Sequence, residues 1–229
     1  MQDGGKKKRA SALAISFPNW YTERKKGVSR LKVMLCDCIG LTEGDLSAFF
    51  GALPPGRRAY AARYKKTVDR ATAAVGFLLV SRLIREVDPT LAGIDWEIGE
   101  RGKPYLPGNP YHFSLSHSDG LCAAVVSSDP IGLDVERIRP LRPALLPRFC
   151  TPEEIALCAN DPDSAVKIWT RREARAKENG RGIGQKLVSL SDGGVTSLRH
   201  SIGGRDFWLS YTAGEPAEIV AVKPEELLG

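Results

Sequence analysis

Residues 112–137 read HFSLSHSDGLCAAVVSSDPIGLDVER, and this stretch predicts three consecutive β-strands. Phe113 and Leu115 alternate with polar residues over 112–118, which is typical of a half-buried strand. The pair Asp119-Gly120 predicts a tight hairpin turn, because both turn positions favour a positive φ. The chain then returns over 121–127, turns at 128–130 and enters a third strand over 131–137.

Helices and further strands are predicted on both sides of this stretch. Thr42 and Thr151 are each followed three residues later by an acid, Asp45 and Glu154, and this is the spacing of a capped helix start. Gly203-Gly204 predicts a turn. Helices are expected over 42–50, over 57–85 after a break at 53–56, from 151 onward, and over 164–178 with an end at 179–180. Strands are expected over 31–36, 186–190, 206–211 and 218–222.

The order of these elements, strands then helices and strands again, predicts an α+β fold. We expect two pseudo-equivalent α/β halves, over 11–130 and 131–229, with the active site at their interface. No repeat is detectable at the level of single residues. Residues 1–10 are expected to form a flexible basic leader, since they carry four cations and one acid.

Composition excludes several classes of protein. The chain has 229 residues, 42% of them hydrophobic, with a net charge of +6, half of which lies in the leader. The remaining charge is smaller than a nucleic-acid-binding protein usually carries on one face. The apolar runs are far shorter than the roughly 20 residues that span a bilayer, so no membrane association is expected. Five cysteines without CxxC spacing indicate free thiols in the cytoplasm rather than a zinc site.

Three acidic residues form the pattern with the clearest chemistry. Asp134 and Glu136 are two apart on a predicted strand, so both side chains point to the same face, opposite Leu133 and Val135. Two carboxylates on one face repel each other unless a cation lies between them. Glu173 and Lys177 are four apart on a predicted helix and share one side of it. Each pattern alone is common at a protein surface, but three carboxylates suit the coordination of Mg²⁺.

Several motifs together resemble the surfactin-synthetase-activating class of the 4′-phosphopantetheinyl transferase superfamily. The resemblance is carried by Gly132-Leu133-Asp134 and by Trp169-Thr170-x-x-Glu173-Ala174-x-x-Lys177-x-x-Gly180-x-Gly182. Three further stretches, 102–104 (GKP), 113–118 (FSLSHS) and 149–154 (FCTPEE), occur in the order of that family. The similarity covers about residues 55–183, and the chain length matches the pseudo-dimeric monomers of the family.

The resemblance implies a reaction and a set of site residues. The family transfers the 4′-phosphopantetheine arm of coenzyme A to a serine of an apo acyl or peptidyl carrier protein, and 3′,5′-ADP leaves. Magnesium would be held by Asp134, Glu136 and Glu173. Either Glu173 or Glu154 would be the general base, with Lys177 at the pyrophosphate. Coenzyme A would be bound by Arg57, Arg70, Gly76, Lys103, Ser116, His117 and Lys177.

The chain departs from the family pattern at three points. Arg172 stands where the family commonly has lysine before the helix glutamate, and Thr72 replaces a family arginine. The gap between Asp134 and Glu173 is also short. None of these departures removes an expected metal ligand, although Thr72 leaves the adenosine contacts open.

Two other functions remain possible at this point. A basic nucleic-acid-binding module would use Lys6–Arg9 and the cations of 57–70, but it leaves the three acids without a role. A catalytically degenerate relative would bind coenzyme A without transferring the arm. A serine hydrolase using Ser116 or Ser118 is disfavoured, because the adjacent His117 points to the opposite face of the strand.

Overall fold

The computed structural model describes residues 31–91, 93–100, 102–108, 110–180, 187–191 and 193–228. The basic leader, Gly182 of the family pattern and Lys186 lie outside these residues. Within them the fold is mixed α and β, which confirms the predicted class. None of the helices described is long and apolar enough to cross a membrane.

The first sheet contains the strands β1 Lys32–Asp37, β4 His112–Ser118, β5 Leu121–Ser127 and β9 Glu218–Val222. Their order in the sheet is β4-β5-β1-β9. The strands β4 and β5 form the predicted hairpin, with φ of +47° at Asp119 and +81° at Gly120. Strand β5 pairs with β1 in antiparallel fashion, whereas β9 pairs with β1 in parallel. Two short strands, β2 Glu97–Ile98 and β3 Pro104–Tyr105, form a separate antiparallel pair.

The second sheet contains three antiparallel strands in the order β6-β8-β7. Their bounds are β6 Leu133–Arg137, β7 Thr196–Ile202 and β8 Arg205–Tyr211. The turn at Gly203-Gly204 has positive φ at both residues, as predicted. The strand β9 follows this sheet in the chain but returns to the first sheet. The two-half division at residue 130 therefore stays a prediction.

The two sheets share one hydrophobic core. Val33, Val125, Leu133, Leu209 and Tyr211 are buried members of it, and they come from both sheets. Alternate residues of β6 therefore point into this core, and Asp134 and Glu136 point away from it. The predicted sharing of a face by the two acids is confirmed.

Helices cover the outer faces of the sheets. Their bounds are α1 Glu43–Ala52, α2 Pro55–Ala61, α3 Thr67–Val87, α4 Pro152–Cys158 and α5 Pro162–Asn179. The capping interactions of Thr42 with Asp45 and of Thr151 with Glu154 are both formed, which confirms these helix starts. Helix α3 packs on β5 and β4, and α5 packs on β6 and β8. Gly180 ends α5 with a φ of +62°.

Two predictions about elements are wrong, and one strand was not predicted. The helix expected over 57–85 is two helices, because residues 62–66 leave the helical path between α2 and α3. The described part of the strand expected over 186–190 contains a 3-10 helix, Leu187–Ser189, instead. Strand β7 was not predicted, because its residues are mostly polar or half-exposed on both faces and give no clear alternation.

Gly132 permits the close approach of α5 to the start of β6. A Cβ placed on Gly132 would lie 1.8 Å from Ala174 O and 2.5 Å from Glu178 N, both backbone atoms. The backbone of Gly132 is also fixed by Thr212, since Gly132 N donates to Thr212 Oγ1 at 2.9 Å and Gly132 O accepts from Thr212 N at 3.0 Å. Neither the strand nor the helix can therefore move aside easily.

We expect Gly132→Ala to destabilise the fold by at least ~3 kcal/mol, because overpacking against backbone cannot be relieved by a rotamer change. Thermal unfolding followed by circular dichroism should show a melting temperature lower by roughly 6 °C or more. Gly51→Ala, in α1, is the matched control, since a Cβ there meets no atom within 4 Å. An unchanged melting temperature in Gly132→Ala would contradict the close approach.

Candidate active site

Strands β4 and β6 lie at the edges of the two sheets and are joined through serine side chains. Ser114 Oγ accepts a hydrogen bond from Leu133 N at 2.9 Å, and Ser118 Oγ accepts one from Arg137 N at 3.2 Å. The residue numbers of the two contacts increase together along β4 and β6, so the strands run in the same direction. Serine hydroxyls therefore satisfy backbone N–H groups of β6 that have no strand partner on that side.

Two of these serines also hold the acidic residues of β6. Ser116 Oγ donates to Asp134 Oδ1 at 2.7 Å, and Ser118 Oγ donates to Glu136 Oε2 at 2.6 Å. Lys177 Nζ reaches the same Asp134 Oδ1 at 2.7 Å. Asp134, Ser116 and Lys177 thus form one hydrogen-bonded group that joins β4, β6 and α5.

Glu173 lies one helical turn before Lys177 and is buried, with 3% of its surface exposed. Burial and the charge of Asp134 raise the pKa of Glu173 to about 7, and Glu136 adds to this while Lys177 opposes it. Burial also raises the pKa of Glu136, as does the charge of Asp134. The three carboxylates are therefore electrostatic neighbours, as their spacing predicts.

The oxygens of this group suit a divalent cation. Asp134 Oδ2 and Glu173 Oε1 are buried without a hydrogen-bond partner among the residues that the structure describes. Buried carboxylate oxygens of this kind are costly unless a cation or donor meets them. The side chains do not already converge, since no group of three or more His, Cys, Asp or Glu within the described ranges has metal-binding geometry. The donor set fits magnesium, and the ligand assignment stays a prediction.

A cavity of about 690 Å³ opens beside this group. It is bounded by α2, α3, β4, the β2–β3 pair and α5. Trp96 packs between Phe77 and Phe113, with ring centroids 4.7 and 4.9 Å apart, and forms its apolar side. Glu173, Lys177 and His117 also line it. A cavity of this volume is large enough for a nucleotide-sized ligand.

Arg57 and Lys103 line the cavity but also make structural contacts. Arg57 Nη2 donates to Trp96 O at 3.1 Å, its Nε pairs with Asp95 at 3.2 Å, and its guanidinium lies 5.0 Å from the Trp96 ring centroid. Lys103 Nζ donates to Glu178 O at 2.9 Å, near the end of α5. Burial lowers the pKa of Lys103. These two cations hold the cavity together as well as facing it.

His117 lies at the cavity beside Lys177. Desolvation lowers its pKa, and the Lys177 ammonium lowers it further. The neutral imidazole is therefore favoured near neutral pH. Ser116 points away from the cavity and contacts Asp134. Residues 116 and 117 are adjacent in β4, so their side chains lie on opposite faces of the strand.

Besides Ser116, two predicted coenzyme contacts, Arg70 and Gly76, lie outside the cavity lining. Arg70 forms an ion pair with Glu43 of α1. Gly76 is buried in α3, and a Cβ there would meet Leu115 Cδ1 at an ordinary 3.8 Å. Helix periodicity located both residues on α3 but could not identify the surfaces that they contact.

Glu154 is occupied by structural contacts. Its carboxylate accepts from Thr151 N at 2.8 Å in the helix cap, and from Arg172 Nη2 at 2.8 and 3.1 Å. Arg172 also donates to Val188 O at 2.7 Å. The arginine that departs from the family pattern therefore ties α4, α5 and the 187–189 segment together. A lysine could not make all these contacts, because it lacks the planar fork of donors.

Sequence reasoning missed the aromatic side of the cavity. Trp96 stands in a stretch for which no element was predicted, and Tyr60 and Tyr64 were passed over among the cations of that region. The Tyr60 and Tyr64 hydroxyls lie 2.9 Å apart, and both side chains line the cavity. A tryptophan outside any periodic pattern is a usable signal, because so large an apolar ring is seldom left in water.

Comparisons with known proteins agree on one family. A family model described as the 4′-phosphopantetheinyl transferase superfamily matches residues 130–213, which include β6, α4, α5, β7 and β8. A 4′-phosphopantetheinyl transferase of Bacillus subtilis is 30% identical over 171 residues, covering 69% of this chain and 75% of the relative.

Two further relatives carry the same activity in their names. The 4′-phosphopantetheinyl transferase Sfp of Bacillus subtilis strain 168 is 28% identical over 158 residues, covering 66% of this chain and 70% of its own. The 4′-phosphopantetheinyl transferase AcpT of Salmonella typhi is 32% identical over 149 residues, covering 61% and 72%.

The raised pKa of Glu173 predicts a pH-dependent stability of the metal-free protein. The unfolded carboxyl loses its proton near its ordinary pKa of 4.5, whereas the folded one keeps it to about 7. The folded state therefore binds more protons in this window, and the free energy of unfolding should fall as pH rises from 4.5 to 7. Glu173→Gln should remove this loss and be more stable than the wild type at pH 8, on the order of 1–3 kcal/mol.

Urea unfolding in chelator at pH 4, 6 and 8 measures this difference. Glu215→Gln, at an exposed position, is the control and should follow the wild type at each pH. If Glu173→Gln also follows the wild type throughout, the carboxyl is not held in its neutral form by the fold.

Proposed function

Because this chain belongs to the 4′-phosphopantetheinyl transferase superfamily and is a 4′-phosphopantetheinyl transferase, we propose that it uses coenzyme A and Mg²⁺ at the acidic group of β6 and α5. Asp134, Glu136 and Glu173 hold the metal, and the cavity beside them takes the coenzyme. The observation that carries this proposal is a pair of buried oxygens, Asp134 Oδ2 and Glu173 Oε1, that have no hydrogen-bond partner within the described ranges and lie beside a nucleotide-sized cavity.

The transfer is a displacement at phosphorus. The serine hydroxyl oxygen of the carrier forms a bond to the β-phosphorus of coenzyme A, the bond from that phosphorus to the bridging oxygen breaks, and 3′,5′-ADP leaves. The bound magnesium supplies neutralisation of the charge on the pyrophosphate oxygens. Glu173 accepts the serine proton, and Lys177 places its positive charge beside the pyrophosphate.

Glu173 is favoured over Glu154 as the base by their contacts. Both oxygens of Glu154 are engaged with Arg172, and one of them also accepts from Thr151 N. Glu173 faces the cavity and has an unpartnered buried oxygen among the described residues. A base needs a free lone pair within reach of the substrate, and Glu173 meets that condition.

An arginine-rich segment suits an acidic carrier protein. Residues 137–148 contain four arginines and no acid, and Arg139, Arg142 and Arg148 are exposed. None of the ion pairs found among the described residues includes these three. The charge of Arg139 acts on Glu136 and that of Arg148 acts on Glu173, so the segment borders the acidic group. Unpaired cations beside a site steer an anionic partner toward it.

We place the enzyme in the cytoplasm as a monomer. The five cysteines are free thiols in the structure, which agrees with a reducing compartment. The arginine segment favours a carrier with an acidic surface, whether acyl or peptidyl.

The transfer itself is tested by intact-mass measurement of an apo acyl carrier incubated with coenzyme A and Mg²⁺. The wild type should add the phosphopantetheine mass, and chelator or Asp134→Ala should abolish it. Glu173→Gln should lower turnover at least ~100-fold, within the usual range for lost acid–base catalysis. Glu154→Gln should keep turnover within about threefold and lower only the melting temperature. If coenzyme A binds but no carrier is ever loaded, the protein is a degenerate relative and the proposal fails.

The arginine segment is tested by charge reversal. Arg142→Glu should raise KM for an acidic acyl carrier about tenfold at low salt, with kcat and the KM for coenzyme A nearly unchanged, because the lost attraction affects the encounter. High salt should shrink the difference. Arg85→Glu, an exposed site near the other end of α3 from the cavity, is the matched control. Equal carrier KM values for both variants would contradict this docking surface.

A further inference from the structure

Lys177 contacts Asp134, a predicted magnesium ligand, through Oδ1, whereas Oδ2 is the oxygen without a hydrogen-bond partner among the described residues. Its Nζ lies 2.7 Å from Asp134 Oδ1 and 2.8 Å from Ser116 Oγ. The Asp134 side chain is only 5% exposed, whereas that of Lys177 is 28% exposed. The ammonium therefore neutralises a buried carboxylate from the side that opens to the cavity.

An ammonium and a divalent cation compete for this carboxylate. Both neutralise the same negative charge, and each repels the other at short range in a poorly solvated site. The lysine is part of the chain, so it is always present at a high effective concentration. Magnesium alone must therefore bind against the repulsion of a resident positive charge.

Lys177 also faces the place where an anion would enter. Its side chain lines the cavity beside Glu173, and its backbone is held by the end of α5, where Lys177 O accepts from Gly180 N. Only side-chain rotation is needed to turn the ammonium from Asp134 toward the cavity. Ser116 can keep its hydrogen bond to Asp134 Oδ1 when the lysine leaves, because the hydroxyl is the donor in that bond.

We propose that Lys177 is an internal counter-ion that occupies Asp134 in the coenzyme-free enzyme and transfers its charge to the pyrophosphate when coenzyme A binds. The divalent cation then binds together with the coenzyme rather than before it. This inference rests on the proposed function, since it takes Asp134 as a metal ligand. It assigns Lys177 a role in the order of binding, in addition to its place beside the pyrophosphate.

The test measures the affinity of the full chain for Mn²⁺ in the absence of coenzyme. The concentration of free Mn²⁺ is determined by electron paramagnetic resonance. Lys177→Met removes the charge and keeps the length of the side chain. It should bind Mn²⁺ about tenfold more tightly than the wild type. Coenzyme A should tighten Mn²⁺ binding more in the wild type than in Lys177→Met, because only the wild type must first move its lysine. Unchanged or weaker Mn²⁺ binding in Lys177→Met overturns the inference.

Controls separate this inference from the proposed function. Lys177→Arg keeps the charge and should resemble the wild type, and Asp134→Asn should remove the gain in a Lys177→Met background. If Mn²⁺ binds the wild type and Lys177→Met equally, only the counter-ion role fails. If it binds neither protein, with or without coenzyme A, the magnesium site fails as well. Lys177→Gln replaces Lys177→Met if circular dichroism shows that the latter is unfolded.

Discussion

Strands β4 and β6 contact each other through side chains and not through a shared ladder of backbone hydrogen bonds. The two strands belong to different sheets, and the hydroxyls of Ser114, Ser116 and Ser118 join them. Because these serines alternate along β4, the same contact sets the alignment of the sheets and orients the two acids of β6. Structural support and site chemistry thus use the same three side chains, so neither can change without the other.

The buried charges of the site are tolerated because the surrounding packing is strong. Asp134 contacts Lys177 of α5, and Glu173 belongs to the same helix, whose approach to β6 is possible only at a residue without a side chain. The Arg172–Glu154 pair ties α4 to the same helix. Functional sites commonly store unfavourable electrostatics that the remainder of the fold must offset. Here the offset comes from the shared core of the two sheets.

Local features of the fold could be predicted from the sequence, and distant contacts could not. The hairpin at Asp119-Gly120 and the caps at Thr42 and Thr151 depend on residues within a few positions, so their patterns suffice. The shared face of Asp134 and Glu136 follows from strand geometry alone. The pairing of Arg70 with Glu43 and of Glu154 with Arg172 depends on how helices pack. Spacing alone does not contain that information, and family resemblance supplied the site residues without their partners.

The parallel pairing of β9 with β1 has a consequence for biosynthesis. Val33, Met34 and Leu35 of β1 are fully or almost fully buried, and in the described part of the chain the strand that pairs with one edge of β1 is β9, residues 218–222. A chain emerging from the ribosome leaves this edge of β1 without β9 until residues 218–222 have been translated. Such long-range closure slows folding and leaves an unpaired strand open to aggregation. The first sheet can therefore be completed only after the three strands of the second sheet have been translated.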